Sequence, residues 1–440
     1  MLLNETVQKW KPILEFKDAS PIKSSYRMGV TAQLLENQEK ANLQEAAANN
    51  VGTGISYDAP ATGAISGFNP VLISLVRRAM PNLIAYDVCG VQAMTGPTGL
   101  IFAMRSKYTT QGGTEALYNE ANTGFSGVGT QTGSSATVSV DPSQVGYSTS
   151  TDEATVVGSA MSTHQGELLG SGDSGDLGFN DMAFSIEKVS VTAGTRALKA
   201  EYTVELAQDL KSVHGLEAEA ELAQILSTEI LSEINREVVR KINISASIGC
   251  KTGTTTTAGV FDLDTDSNGR WSVEKFKGLL FQIEREANQI AKDTRRGKGN
   301  LIICGSDVAS ALSMAGVLNY TEALTGKSEM QVDDTGVTFA GTIGGRIKVY
   351  VDPYFASASG EEYCTVGYRG TNPYDSGLFY CPYIPLQMVR ALDPSTMQPK
   401  IAFRTRYGIV ANPFATSAGT GVVGIHNNMY YRIFKISHLM

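Results

Sequence analysis

LKAEYTVELAQDLKSVHGLEAEAELAQILSTEILSEINREVVRKI, residues 198–242, is the stretch whose reading decides the fold. From Leu216 on, Leu222, Ile225, Leu226, Ile230, Ile234, Val238 and Ile242 recur three or four apart. That spacing puts them on one stripe of a helix with 3.6 residues per turn. The other face carries Glu217, Glu219, Glu221, Glu229, Glu233, Arg236, Glu237, Arg240 and Lys241. Acids crowd the first half and bases the last turns, the order the helix dipole favours. At 1.5 Å per residue the helix is about 40 Å long. It reads as a spine preceded by a strand or short helix. Its expected core positions are Leu222, Ile230, Ile234 and Val238.

The flanks read as mixed structure. Residues 1–50 are rich in Gln, Glu, Lys, Asn and Ala and read as a loosely packed helix with little to bury. A Gly/Ala/Ser-rich arm follows, then a short helix with Pro70 near its start. Residues 88–108 read as strand, turn and strand. Residues 109–180 form a Gly/Ser/Thr tract, broken by alternating pieces such as TVSVDPSQVGYSTST, which reads as an extended hairpin carrying an inserted domain. Strand-like MAFSIEKVSVTAGTR returns to the spine. Beyond it, residues 251–271 read as a loop and VEKFKGLLFQIEREANQIAKD as a second amphipathic helix, ending at basic RRGKG. LIICGSDVASALSMAG reads as a buried strand and a helix. GGRIKVYVD, YCTVGYRG, GLFYCPYI and KIAFRTRYGIVA read as strands. Helices among many strands, without a βαβ rhythm, make an α+β fold.

Composition narrows the function. Charged residues are 18% of the chain, Gly numbers 45 and the net charge is −8, which argues against a dedicated nucleic-acid binder. Cys89, Cys250, Cys304, Cys364 and Cys381 are scattered and odd in number, which fits reduced core thiols rather than disulfides or a zinc site. No apolar run is long enough for a membrane span. The first residues lack a basic region followed by a long apolar stretch, so no signal peptide is expected.

Chemistry-bearing patterns are weak. Asp264-Thr265-Asp266-Ser267-Asn268-Gly269 matches the first half of a calcium loop, but Lys275 stands where the bidentate Glu should be. A solvated turn is expected instead. Gly172-Asp173-Ser174-Gly175 matches a serine-protease nucleophile signature, and a hydrolase using Ser174 is the remote alternative. Its base would come from His164, His214, His426 or His438, with nothing evident to bury an Asp beside it. His214, in the VHGL turn, reads as structural. Gly52, Gly54, Gly63 and Gly67 open no strand–turn–helix unit. Arg295-Arg296-Gly297-Lys298 reads as a solvated helix end. No catalytic, cofactor or metal residue is assigned.

Several segments carry a resemblance. LAQDLKSVHGLEAEAEL followed by EINREVVRKI closely resembles the spine-helix region of the major capsid proteins of T-even-type tailed phages. Residues 76–108, EALYNEANTGFSG (115–127), FKGLLFQIEREANQIA (276–291), TVGYRG (365–370) and FRTRYGIVANPF (403–414) agree, in the family's order. Residues 128–178 match poorly.

The resemblance implies a Hong-Kong-97-type capsid fold. Its parts would be a cleaved scaffold-interacting segment (1–45), an N-terminal arm (46–75), the start of the peripheral domain (76–108) and an E-loop with its insertion (109–196). The spine helix (197–248), an axial domain (249–360), returning peripheral strands (361–415) and a C-terminal segment (416–440) would follow. The function implied is structural: hexamers in a closed shell around double-stranded DNA, in the virion after assembly in host cytoplasm. Implied partners are a vertex capsid protein, an internal scaffold, a prohead protease, decoration proteins and a folding chaperonin. The homologous pentameric vertex protein is the alternative. The implied protease cuts after Glu in Leu/Ile-x-Glu. Ile13-Leu14-Glu15, Leu34-Leu35-Glu36 and Leu43-Gln44-Glu45 fit, and the last, followed by three alanines at a composition boundary, places the cut between Glu45 and Ala46. Tyr118, Asn119, Glu120 and Phe125 are the expected inter-subunit contacts of the hairpin.

Overall fold

The computed structural model describes residues 2–15, 22, 24–49, 83–118, 121–128, 159–170, 178–251, 255–267, 269–316, 318–319, 338–354, 361–393, 398–415 and 424–439. Two contact units emerge, residues 1–101 with 189–440, and residues 102–188. The expected helix at 70–83 and the poorly matching stretch 129–158 lie outside the described residues.

The larger unit opens with α1 (Leu2–Leu14), α2 (Ser25–Asn49) and the short α3 (Ala85–Val88). Strand β1 (Gly90–Val91) leads to β2 (Thr98–Tyr108), which runs into the smaller unit. That unit holds α4 (Thr163–Glu167), and β3 (Met182–Thr192) leads out of it. Strand β4 (Gly194–Glu201), α5 (Val204–His214) and α6 (Ala218–Ser245) follow. The spine, α6, is thus preceded by a strand and a short helix, as the sequence reading expects. Gly215 ends α5 with a left-handed φ of 68°, a conformation a side chain would strain.

Only part of the predicted stripe is core. Ile230, Ile234, Val238 and Ile242 are at most 1% exposed. Leu222 is half-buried, and Ile225 is 61% exposed. Ala218 apart, burial in α6 starts at Ser227, and the helix packs both on α5 and on β4. The helix also runs a turn past Arg240 and Lys241, so no cation stands in its last turn.

Beyond the spine come β5 (Ala246–Ile248), β6 (Val260–Asp262), α7 (Ser272–Thr294), β7 (Leu301–Cys304) and α8 (Ser306–Met314). Then come β8 (Leu318–Asn319), β9 (Thr338–Ile343), β10 (Ile347–Val351), β11 (Glu362–Gly367), β12 (Leu378–Leu392), β13 (Pro399–Ala411) and β14 (Asn428–Ser437). One sheet has the order β1-β12-β13-β4; the other runs β5-β14-β11-β7-β10-β9-β8, with β6 also on β14. Strand β7 and strand β10 are parallel, with α8 between them in sequence. Strands β8 and β9 also lie between them, so the pair makes no βαβ rhythm and the whole is α+β. Strand β7, wholly apolar and wholly buried, has a neighbour on each side.

Three sequence expectations need correction. The loop expected at 251–271 contains β6, which pairs with β14. The N-terminal segment has a great deal to bury: Trp10, Leu14, Val30, Leu34 and Leu35 are at most 4% exposed and belong to the main apolar cluster. His214 is exposed at the end of α5 and supports no core.

Candidate assembly surfaces

Strands β2 and β3 pair into a two-stranded ribbon. The Thr109 N–H donates to Asp181 O near one end and the Ala193 N–H to Pro97 O near the other, so the strands run in opposite directions. Side chains alternate across such a ribbon. Ile101, Val189 and Val191 turn into a buried cluster with Phe379, Cys381 and Val410. Their alternates do the opposite. Phe102, Met104, Met182, Phe184 and Ile186 are each between 56% and 63% exposed. These even-numbered positions share one face, with Ser106 and Lys188 among them. On the ribbon's other side, Arg105 pairs with Glu187 at 3.2 Å and Glu115 at 3.6 Å. An apolar stripe facing water beside a satisfied polar face marks a docking surface.

Of the expected hairpin contacts, Tyr118 and Phe125 are described and lie in the smaller unit. Phe125 is half-buried, its ring centroid 4.5 Å from that of Tyr108 in the same chain. Tyr118 is half-buried as well. Asn119 and Glu120 lie outside the described residues. The sequence reading missed the stripe, although LIFAMRSKY and MAFSIEKV show the period-two signal that would have found it.

The N-terminal helices cover a sheet edge. Val91 sits on β1, the outermost strand of its sheet. The Tyr26 hydroxyl accepts from the Val91 N–H at 3.1 Å and donates to the Val91 carbonyl. Asn37 Nδ2 donates to the carbonyls of Met94 at 2.7 Å and Tyr383 at 2.8 Å. Arg27 pairs with Asp87 at 2.6 Å. Helix α2 thereby satisfies groups that an uncovered edge would leave open for another strand. Glu45 and Ala46 fall within α2, which continues to Asn49. The site thus sits on the helix the sequence reading expects, and its last turns must unwind before a protease cleft can take them.

Polar bridges hold the spine. Arg196 on β4 donates to Glu233 and to Glu237, each at 2.6 Å, and Tyr407 donates to Glu237 at 2.6 Å. Burial pushes the Glu237 carboxyl up, but hydrogen bonds from Lys241, Tyr407 and Arg196 outweigh it and hold it near 2. The core carboxamide of Asn235 accepts the Ile84 N–H at 3.1 Å.

Among the described residues, Asp262, Asp264 and His438 bring possible ligand atoms within 4.8 Å of one another. Ser174 lies outside the described residues, and His164, His214, His426 and His438 are all exposed. His438 meets Asp262 at 2.9 Å on the surface, not beside a buried carboxylate. In the half calcium loop, Asp266 accepts from Thr256 and from the Asp262 N–H, while Lys275 pairs with Asp264. The lysine supplies the cation that the acids face. All five cysteines are free and buried, and burial pushes the thiols of Cys89, Cys250, Cys304 and Cys381 up to about 12, far from a nucleophile's range.

A family model described as Major capsid protein Gp23 matches residues 65–436. The chain belongs to that family. It is 39% identical to the major capsid protein of Salmonella phage ViI over 427 residues, covering 94% of this chain and 91% of the relative. The major capsid protein of Enterobacteria phage T4 is 38% identical over 492 residues, with 94% and 92% covered. The T4 capsid vertex protein is 27% identical over 261 residues, or 56% of each chain. Among solved structures, the capsid of Myoviridae phage XM1 aligns with 80% of this chain and 92% of its own at 8% identity and a TM-score of 0.39, a likeness too loose to fix a fold. As a Gp23 family member the chain is a structural capsid protein of the virion. No helix among the described residues is long and apolar enough to cross a membrane.

Proposed function

We propose that the chain is the shell-forming major subunit of a tailed-phage head, built as hexamers in a Hong-Kong-97-type arrangement around double-stranded DNA. It does no catalysis. The observation that carries this reading is the exposed stripe of Phe102, Met104, Met182, Phe184 and Ile186 on an otherwise unsupported ribbon. A monomer gains nothing from that face; a neighbouring copy would bury it, and many such contacts add across a closed shell. Tyr118, Asn119, Glu120 and Phe125 would adjoin the contact. The major rather than the vertex role follows the higher identity over nearly the whole chain.

The chain is a precursor cut between Glu45 and Ala46 by a prohead protease, after residues 1–45 have met an internal scaffold. Of the three Leu/Ile-x-Glu sequences, two have buried apolar residues, Leu14 in one and Leu34 with Leu35 in another. A vertex protein, decoration proteins and a chaperonin complete the set of partners, with assembly in host cytoplasm.

Electron microscopy of the full chain and of the chain starting at Ala46 tests the reading. Rings, tubes or shells of hexameric units from either are expected. Dispersed monomers from both, with scaffold added, would overturn it.

A further inference from the structure

Helix α7 and the strand β14 frame a cleft of about 290 Å³. Four cations line it, Lys251, Arg285, Lys292 and Arg432, against one carboxylate, Glu286. That carboxylate is consumed in the floor. Glu286 accepts from Arg432 Nε at 2.6 Å, from the Cys250 N–H at 2.9 Å and from Gln282 at 2.8 Å. Arg432, itself buried, also donates to Asp293 at 3.0 Å and to the Ile248 carbonyl at 3.3 Å. The floor therefore sets one guanidinium against two carboxylates, and its groups are partnered among themselves.

The rim is different. Arg285 and Lys292 are exposed, seven residues apart on one face of α7, with Asn288 between them. Among the described residues neither faces a carboxylate; Arg285 only stacks its guanidinium 5.9 Å from the Phe281 ring centroid. Nearby cations are neutralised: Lys298 pairs with Glu284, and Lys275 with Asp264. Lys251 approaches from the loop after β5, so positive charge enters the cleft from two walls. In a chain of net charge −8, this is charge held against the average.

We propose that this cleft binds a phosphate group. Donors converging from two walls suit a tetrahedral oxyanion, and a guanidinium fork beside an ammonium is the pairing phosphate takes well. Asn288 adds a neutral donor. The inference stands on the lining and is independent of the shell reading. A free phosphate and a nucleic-acid phosphodiester share this chemistry, and the test separates them.

The full chain is titrated with inorganic phosphate, followed by calorimetry, and with a short fluorescein-labelled single-stranded DNA, followed by anisotropy at several salt concentrations. Arg285→Gln/Lys292→Gln is the variant, and Lys199→Gln, distant in sequence and paired with Glu201, is the control. Binding weakened about tenfold or more in the double variant and unchanged in the control is expected. If DNA is the ligand, its salt slope falls by about 1.4. Saturation by phosphate with no DNA binding assigns a free anion; DNA binding assigns the backbone. Absence of both, or equal binding by the double variant, overturns the proposal. So does a variant that alters association between copies while phosphate binding stays put, since the cleft would then be a subunit contact.

Discussion

Arg236 of the spine helix places Nη1 2.7 and 2.6 Å from the two carboxylate oxygens of Asp352, which follows β10 and is only 2% exposed. Tyr363 donates to the same carboxylate at 2.8 Å. On the other side the helix offers acids, Glu233 and Glu237, to Arg196 of the smaller sheet. The spine is thus pinned to one sheet by its cation and to the other by its anions.

Removing one partner of a buried pair strands the other. Asp352→Ala should lower stability by about 3 kcal/mol, leaving Arg236 and Tyr363 without their acceptor. Denaturant midpoints of the two chains measure it; a change below the scatter of exposed substitutions would refute the pinning role.

The Glu237 carboxyl, held near 2, gives this network a pH signature. A depressed carboxyl contributes stability that is complete above its ordinary value and lost as pH falls toward the folded one. Stability should therefore drop between roughly pH 4.5 and 2, and Glu237→Gln should flatten that portion of the curve by on the order of 2 kcal/mol. Thermal melts across the range, with both chains, give the comparison.

The apolar ribbon separates folding from assembly. Phe184→Ser with Ile186→Ser should leave monomer stability within about 0.5 kcal/mol, because these side chains are already solvated. Sedimentation should nonetheless show loss of large particles. Normal shells from this double variant would show that the stripe contacts nothing.

The covered edge makes a prediction about the N-terminal segment. Tyr26→Phe should cost about 1 kcal/mol, since Val91 loses both of its partners on that side. A chain starting at Ala46 should bind a hydrophobic dye when expressed alone, because Trp10, Leu14, Leu34 and Leu35 leave the main cluster. Equal dye binding by both chains would contradict the packing.

Legibility in the sequence followed how many neighbours an element has. Helix α7 has one buried face, and its period gave its bounds almost to the residue. Helix α2 is packed by α1 on one side and by β12 on another, so Val30, Thr31, Ala32, Leu34, Leu35, Asn37 and Gln38 are buried around it and no single stripe shows. That is why the segment looked idle. Leu222 obeyed the spine's period but is only half-buried, since spacing fixes a face and not what lies opposite it. The left-handed end of α7 falls to Arg295 at φ 54°, while Gly297 serves a close approach instead, since a Cβ there would lie 2.6 Å from the Tyr368 ring. The ribbon's period was visible, but a period of two does not say which of the two faces stays wet.

The tyrosine that closes the β1 edge belongs to the part of the chain proposed for removal. A processed subunit would then keep a shape that its remaining residues had help in reaching. Taken apart and denatured, mature particles should fail to re-form under conditions where the precursor folds. Their durability would be a matter of unfolding rate, not of equilibrium, and the head would carry a memory of a segment it no longer contains.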